Sequence, residues 1–366
     1  MKKKVDKPFL FIIIALVSLG FFAFMSASLG LLARESVDTV GQVVNQAVAI
    51  VIGIAALAVA MRLSPEFWNK YAFYLFLAAI VATFLVFVPG LGFEHAGARR
   101  WIDVGIGPSI QPAEFLKFAF ILYYAAWCAA VQRKIHTLSY SIVPLLVLLA
   151  VCAVPLILQP DYGTLIIIGA TGFAMLIAAG ASWKHTGALA LAGIAFVALV
   201  GTTVPYIQDR LVTFLDPGRD PQGAGYQIQQ SLIAIGSGHI TGRGFGQSVQ
   251  KFNFLPEPVG DSIFAVFAEE WGFVGAVALI AMFIAFLSRG YRIAIRAPKT
   301  FSRIVVVGFI TSITVQSFMN MGSMLGVMPL TGDPLAFVSQ GGTAIVMTLL
   351  AVGVVLSVSR TIPAQA

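Results

Sequence analysis

Residues 139–206 read SYSIVPLLVLLAVCAVPLILQPDYGTLIIIGATGFAMLIAAGASWKHTGALALAGIAFVALVGTTVPY, three long apolar runs parted only by LQPDYGT and GASWKH. Each run is continuous rather than alternating, so it reads as a helix that crosses the roughly 30 Å hydrocarbon core of a bilayer. An outer-membrane barrel would alternate every second residue and is excluded. Working outward in both directions, the same reading finds ten spans, near 9–33, 41–61, 71–93, 113–131, 139–158, 164–183, 185–206, 263–287, 303–328 and 335–358. Gly53, Pro144, Gly169 and Gly193 fall inside them, as membrane helices tolerate. The expected fold is an all-α polytopic membrane protein in one domain over residues 1–366, with a large extracytoplasmic loop, 207–262, between the seventh and eighth spans.

Composition agrees. Of the 366 residues 58% are hydrophobic and only 11% charged, against about 25% charged in ordinary globular chains. Too few polar side chains exist to coat a soluble body of this size. With the N-terminus inside, 15 of the 23 basic residues lie in cytoplasmic segments, while of the 16 acidic residues only Asp6 and Glu66 do. The positive-inside rule then puts both termini in the cytoplasm. The net charge of +7 therefore reflects topology and gives no support to nucleic-acid binding. The first apolar run is too long for a signal-peptide core and is expected to stay uncleaved. Cys128 and Cys152 are isolated thiols within spans, which points to packing rather than a disulfide or a metal site.

Two outer segments can carry chemistry. The first, 94–112, reads EHAGARRWIDVGIGPSIQP, and the second is the 56-residue loop 207–262; an ordered loop of that length is usually functional. Within it, Tyr226–Ser237 spaces Ile228, Leu232 and Ile235 as one face of an amphipathic helix, lying on the membrane or on the bundle. GSGHITGRGFGQS follows, at 236–248. It does not continue a strand of a βαβ unit, so it is no dinucleotide fingerprint; tight turns and close backbone approach are the expected role, ahead of phosphate contact through exposed amides.

Residues 255–275, LPEPVGDSIFAVFAEEWGFVG, hold the sharpest feature. Pro256 and Pro258 break the chain ahead of the eighth span, and Asp261 stands at its entrance. Capping the helix is the commoner task of such an aspartate; catalysis is the other reading. Glu269 and Glu270 lie deeper, where carboxylates are costly and face a cavity or a cation. At 100° per residue Glu269 is about 80° from Asp261, so it is the one expected to share its cavity, and one of the two glutamates can instead tie helices together. Glu114 and Lys117, at i and i+3, share a face at the start of the fourth span. They read either as an ion pair in a first helical turn or, with Arg99, Arg100 and Asp161, as part of a charged cavity for an anionic lipid-linked substrate.

These segments resemble the SEDS family (shape, elongation, division and sporulation; FtsW/RodA type). The resemblance is carried by GARRWIDVG, QPAEFLKF, LQPDYGT, the block from GAGYQIQQ to EEWGFVG, and MPLTGDPLAFVSQGGT, in that order along nearly the whole chain. QSVQKFNFLPE resembles the division-type branch more than the elongation type. The resemblance implies a ten-span polymerase of peptidoglycan glycan strands that uses lipid II, works in septal cell-wall synthesis and sits in the bacterial cytoplasmic membrane. Lipid II flipping and elongation-type polymerisation are its alternatives. It implies Asp261 as the essential general base, and Glu114, Lys117, Trp101, Asp161 and Glu257 as site residues. Pyrophosphate charge would fall to Arg100, Arg210, Arg243, Lys117 or a divalent cation, Mg or Mn, held with Asp261. The implied partners are undecaprenyl-pyrophosphate-linked glycan, a class B penicillin-binding transpeptidase and other division-complex membrane proteins. Five positions depart from the pattern: Ala113 replaces a serine before Glu114, Val259 and Gly260 replace a His-Thr pair before the aspartate, His239 replaces a glycine, and Gln340 replaces an aromatic residue.

Overall fold

The computed structural model describes residues 5–33, 39–95, 98–102, 109–220 and 223–363. Twelve α-helices account for most of them: α1 (Lys7–Ser28), α2 (Thr39–Arg62), α3 (Pro65–Phe84), α4 (Pro112–Ala130), α5 (Leu138–Leu158), α6 (Tyr162–Ala178), α7 (Trp183–Thr203), α8 (Pro205–Leu215), α9 (Ala224–Ser237), α10 (Ile263–Arg296), α11 (Thr300–Met324) and α12 (Gly342–Ser359). Among the described residues nine helices are long and apolar enough to cross a membrane, and α6, at 17 residues, is a shorter apolar one. The chain is a multi-pass membrane protein.

Local chemistry sets the helix starts. Asp6 caps α1 by accepting from the Phe9 amide, Ser64 caps α3 through Phe67, and Asp161 caps α6 through Thr164. Pro65, Pro112 and Pro205 open α3, α4 and α8, where a missing N–H costs nothing.

Helix α11 is the axis, buried along nearly its whole length and packed on α4, α6 and α10. Phe118 of α4 stacks on Phe309 of α11 at 4.9 Å, and Phe9 of α1 stacks on Phe286 of α10 at 5.3 Å. Helix α12 lies along α2, whose buried face of Gln46, Ala49, Gly53 and Ala60 is mostly small, the close-packing device of membrane helices. Helix α7 is peripheral and largely exposed. One end of the bundle carries the Asp6–Arg289 pair at 2.9 Å and the Glu66–Lys299 pair at 2.6 Å; the other carries the loops described below.

Several expected boundaries move. The third helix starts at Pro65, not 71, because Ser64-Pro65 caps it, and ends at Phe84. The last starts at Gly342, not 335, leaving 335–341 as a loop. The fold is not purely helical, since an antiparallel hairpin, β1 (Gly92–His95) and β2 (Ala98–Ile102), pairs Phe93 with Trp101. The segment 207–262 holds the rest of α8 and the amphipathic helix expected at 226–237, found as α9. Cys128 and Cys152 are free and buried.

Candidate functional site

At the loop end of the bundle a cavity of about 520 Å³ opens between the turn before α10, the loop before α12, the start of α6, β2 and α8. Its wall carries the side chains of Arg100, Trp101, Asp161, Arg210, Glu257, Asp261 and Asp333.

Two side chains of α11 hold this end together. Asn320 donates its amide to the carbonyls of Asp261 at 2.8 Å and Asp333 at 2.9 Å. One turn earlier, Gln316 donates to the Pro334 carbonyl at 2.9 Å and accepts from Lys117 at 2.8 Å. Ser339 Oγ donates to the Gly260 carbonyl at 2.7 Å and the Gln340 amide donates to Val259 at 2.8 Å. The turn containing Asp261 is thus stitched to the loop containing Asp333 through backbone groups, leaving side chains free to face the cavity.

Asp261 does not cap α10. Ser262 occupies the cap position without a side-chain cap bond, and among the described residues no protein group donates to the Asp261 carboxylate. Burial pushes its carboxyl up to about 6, helped by the nearby charge of Glu257 and opposed by Arg210 and Arg100. Glu257 sits at φ +46°, and its carbonyl accepts from the amides of Gly260 and Ser262, both at 3.1 Å; this turn brings the two carboxylates to one wall.

The cations are oriented by carbonyls. Arg100 donates Nε to the Gln159 carbonyl at 3.1 Å and a terminal nitrogen to that of Pro160. Arg210 donates to the Leu330 carbonyl and lies 4.8 Å from the Tyr206 ring centre. Trp101 stacks on Phe93 across the hairpin at 6.1 Å. Asp161 accepts from the Thr164 amide at 3.2 Å.

Three expected site residues lie elsewhere. Glu114 and Lys117 form a buried ion pair at 2.7 Å outside the cavity wall, joined to the loop before α12 through Gln316. Arg243 is 3.4 Å from Glu269 and donates to the Ser237 carbonyl, outside the cavity wall. Glu269 does not share the Asp261 cavity: it accepts from the amides of Val249 at 3.1 Å and Gln250 at 3.3 Å and from Ser248 Oγ. Glu270 pairs with Lys251 at 2.7 Å and accepts from Ser26 of α1. Both glutamates tie elements together, because the chain 238–251 folds back onto their face of α10.

The reason is a break in α10 at Gly272, with φ +65° and ψ −166°. The carbonyls it frees on Glu269 and Glu270 accept from the amides of Arg243 and Gly244, each at 3.0 Å, and the amides of Phe273 and Val274 donate to His239 and Ile240 at 2.9 and 3.1 Å. A Cβ at Gly242, itself at φ +83°, would lie 2.1 Å from the Glu270 carbonyl. The glycines of 236–248 therefore serve close backbone approach to a broken helix. His239 adopts φ +49°, which explains a preference for glycine at this place.

Sequence reasoning passed over Asp333, Gln316 and Asn320. Their signals were present: an acid at the mouth of the last span, and two amide side chains four residues apart on one face of an apolar helix. The Asp333 carboxyl is held well above the usual carboxylate range by burial and by Asp161, with Lys117 opposing. Among the described residues no three histidine, cysteine, aspartate or glutamate side chains converge as a ready-made metal cage.

Residues 7–363 match the FtsW/RodA/SpoVE family, described as "Cell cycle protein". The chain is 35% identical over 357 residues to "Probable peptidoglycan glycosyltransferase FtsW" of Geobacter metallireducens, covering 98% of this chain and 95% of the relative. It is 40% identical over 310 residues to "Stage V sporulation protein E" of Bacillus subtilis, covering 84% of each. Among solved structures, a chain from "Structural coordination of polymerization and crosslinking by a peptidoglycan synthase complex" superposes with TM-score 0.80 at 30% identity, covering 98% of both chains. The rod shape determining protein RodA of Thermus thermophilus superposes with TM-score 0.72 at 26% identity, covering 99% of both.

Proposed function

We propose, from the premise that this chain belongs to the FtsW/RodA/SpoVE family, that it is a peptidoglycan glycosyltransferase that lengthens glycan strands in septal wall synthesis. The observation that carries the mechanism is the Asp261 carboxylate, without a donor among the described residues, on the wall of a cavity of about 520 Å³ that also presents Arg100 and Arg210. Asp261 takes the proton of the 4-hydroxyl of lipid II N-acetylglucosamine as that oxygen attacks C1 of the growing strand. The C1–O bond to undecaprenyl pyrophosphate breaks with inversion, and the electron pair leaves with the pyrophosphate. Arg100 and Arg210, already aimed by carbonyls, offset that charge. The leaving group needs no strong acid, so a second glycosidase-type carboxylate is not required.

The basic residues of the opposite end support a cytoplasmic position for that end and both termini; with α6 as a tenth span, the cavity then faces outward in the bacterial cytoplasmic membrane. Several relatives carry the name FtsW, which supports division over elongation. The structure called a synthase complex joins polymerization to crosslinking, which supports a class B penicillin-binding transpeptidase as partner, alongside other division-complex membrane proteins.

A flippase would keep charges or a broken helix near the midplane, and α10 is broken at Gly272. Yet every backbone group freed there that is named above is bonded, and 17 residues separate Gly272 from Arg289, about 25 Å of helix, which places the break near the outer boundary. Purified protein given lipid II tests the reading: polymer is expected from wild type and at least a hundredfold less from Asp261→Asn, and equal polymer from both would overturn it.

A further inference from the structure

Six buried oxygens at this end have no hydrogen-bond partner among the described residues: Gln159 Oε1, Asp161 Oδ2, Thr164 Oγ1, Asn320 Oδ1, Thr331 Oγ1 and Asp333 Oδ2. They are not scattered. Three lie on the turn into α6, two on the loop before α12, and Asn320 binds the Asp333 carbonyl. The two segments touch, since a Cβ built on Gly163 would lie 2.0 Å from Asp333 Oδ2 and 3.1 Å from the Thr331 carbonyl. Only glycine at 163 lets the Asp333 carboxylate approach the start of α6.

Two of these oxygens belong to carboxylates, Asp161 at 2% exposure and Asp333 at 5%, and Asp161 is the charge that acts most strongly on Asp333. Buried acids side by side require a compensating positive charge. Among the described residues the cations nearby form no salt bridge with either acid: Arg100 donates to the carbonyls of Gln159 and Pro160, Arg210 to that of Leu330, and Lys117, whose charge reaches Asp333, is paired with Glu114 and Gln316. All six atoms of this group are oxygens, the donor set of a hard cation rather than zinc.

We propose that Asp161 and Asp333, with the hydroxyls of Thr164 and Thr331, hold a hard divalent cation such as Mg²⁺ or Mn²⁺ on the wall of the cavity, separate from Asp261. Two carboxylates and two hydroxyls are a partial shell, which suits an ion that completes its coordination with water and phosphate oxygens. Its use, neutralising a pyrophosphate, rests on the function proposed above; its binding does not.

The test is titration of purified full-length protein in nanodiscs with Mn²⁺, following the free-ion signal by electron paramagnetic resonance, with Mg²⁺ as competitor. One Mn²⁺ per chain is expected. Asp161→Asn and Asp333→Asn should each weaken binding at least tenfold, and Asp261→Asn less than threefold. Melting provides the fold control: Mg²⁺ should raise the melting temperature of wild type and leave that of Asp333→Asn unchanged, while the metal-free variant melts no lower than metal-free wild type. No Mn²⁺ binding by wild type, equal binding by the two asparagine variants, or loss with Asp261→Asn instead would overturn the site and leave the carboxylates neutralised by protons or held around Asp261. Mn²⁺ binding by a protein that makes no polymer overturns the proposed function and spares the site; polymerisation without Mn²⁺ affinity does the reverse.

Discussion

Asp261 is held by its backbone and not by its side chain, because Asn320 takes its carbonyl at 2.8 Å while the carboxylate faces the cavity. As the proposed base it must be ionised to accept a proton, and burial pushes its carboxyl up to about 6. Polymerisation should therefore rise with pH through about 6. The negative charge of Glu257 is part of what raises that value, so Glu257→Gln should lower it and move the rising limb of the pH–rate profile to lower pH. An unmoved limb would show that another group sets the profile. Asp261 and Glu257 were legible in the sequence, the first through its place after Pro256 and Pro258 and the second through family resemblance. That Asp261 does not cap the helix was not legible, because an aspartate at a helix entrance is the ordinary cap and only the position of Ser262 shows otherwise.

At the scale of elements, the break in α10 and the chain 238–251 form one unit. Gly272 at φ +65° leaves a substituted Cβ 2.3 Å from the Gly242 amide nitrogen, so Gly272→Ala should melt well below wild type in detergent, a backbone clash no side-chain shift relieves. Lys251 is wholly buried against Glu270. Lys251→Met strands that carboxylate and should destabilise by about 3–5 kcal/mol, whereas Lys251→Met with Glu270→Leu should recover most of the loss. Chemical denaturation of the three proteins measures it, and a double variant as unstable as the single would refute the pairing. The amphipathic helix α9 and the close-approach role of the glycines were readable from spacing. Their partner was not, because a helical wheel assumes an unbroken helix and α10 is broken two turns in.

At the scale of the molecule, the distribution of charge makes a topological prediction. A cysteine at Gly218, in the loop after α8, should react with a membrane-impermeant maleimide in intact cells, and one at Lys299, between α10 and α11, should react only after permeabilisation; the opposite pattern would invert the protein. Apolar runs, turn residues and the bias of lysine and arginine determined the helical bundle and its expected orientation from sequence alone, since each depends on neighbours along the chain and on the solvent each segment requires. The composition of the site depended on tertiary structure. Asp333, Asn320 and Gln316 meet Asp261 and Lys117 only because α11 runs through the centre of the bundle, while Glu269 and Arg243 are drawn away by a loop that seals a broken helix. Contacts across dozens of residues leave no periodic trace in a sequence, and burial, which raises the carboxyl of Asp261 and leaves six oxygens unsatisfied beside it, exists only once the helices are packed.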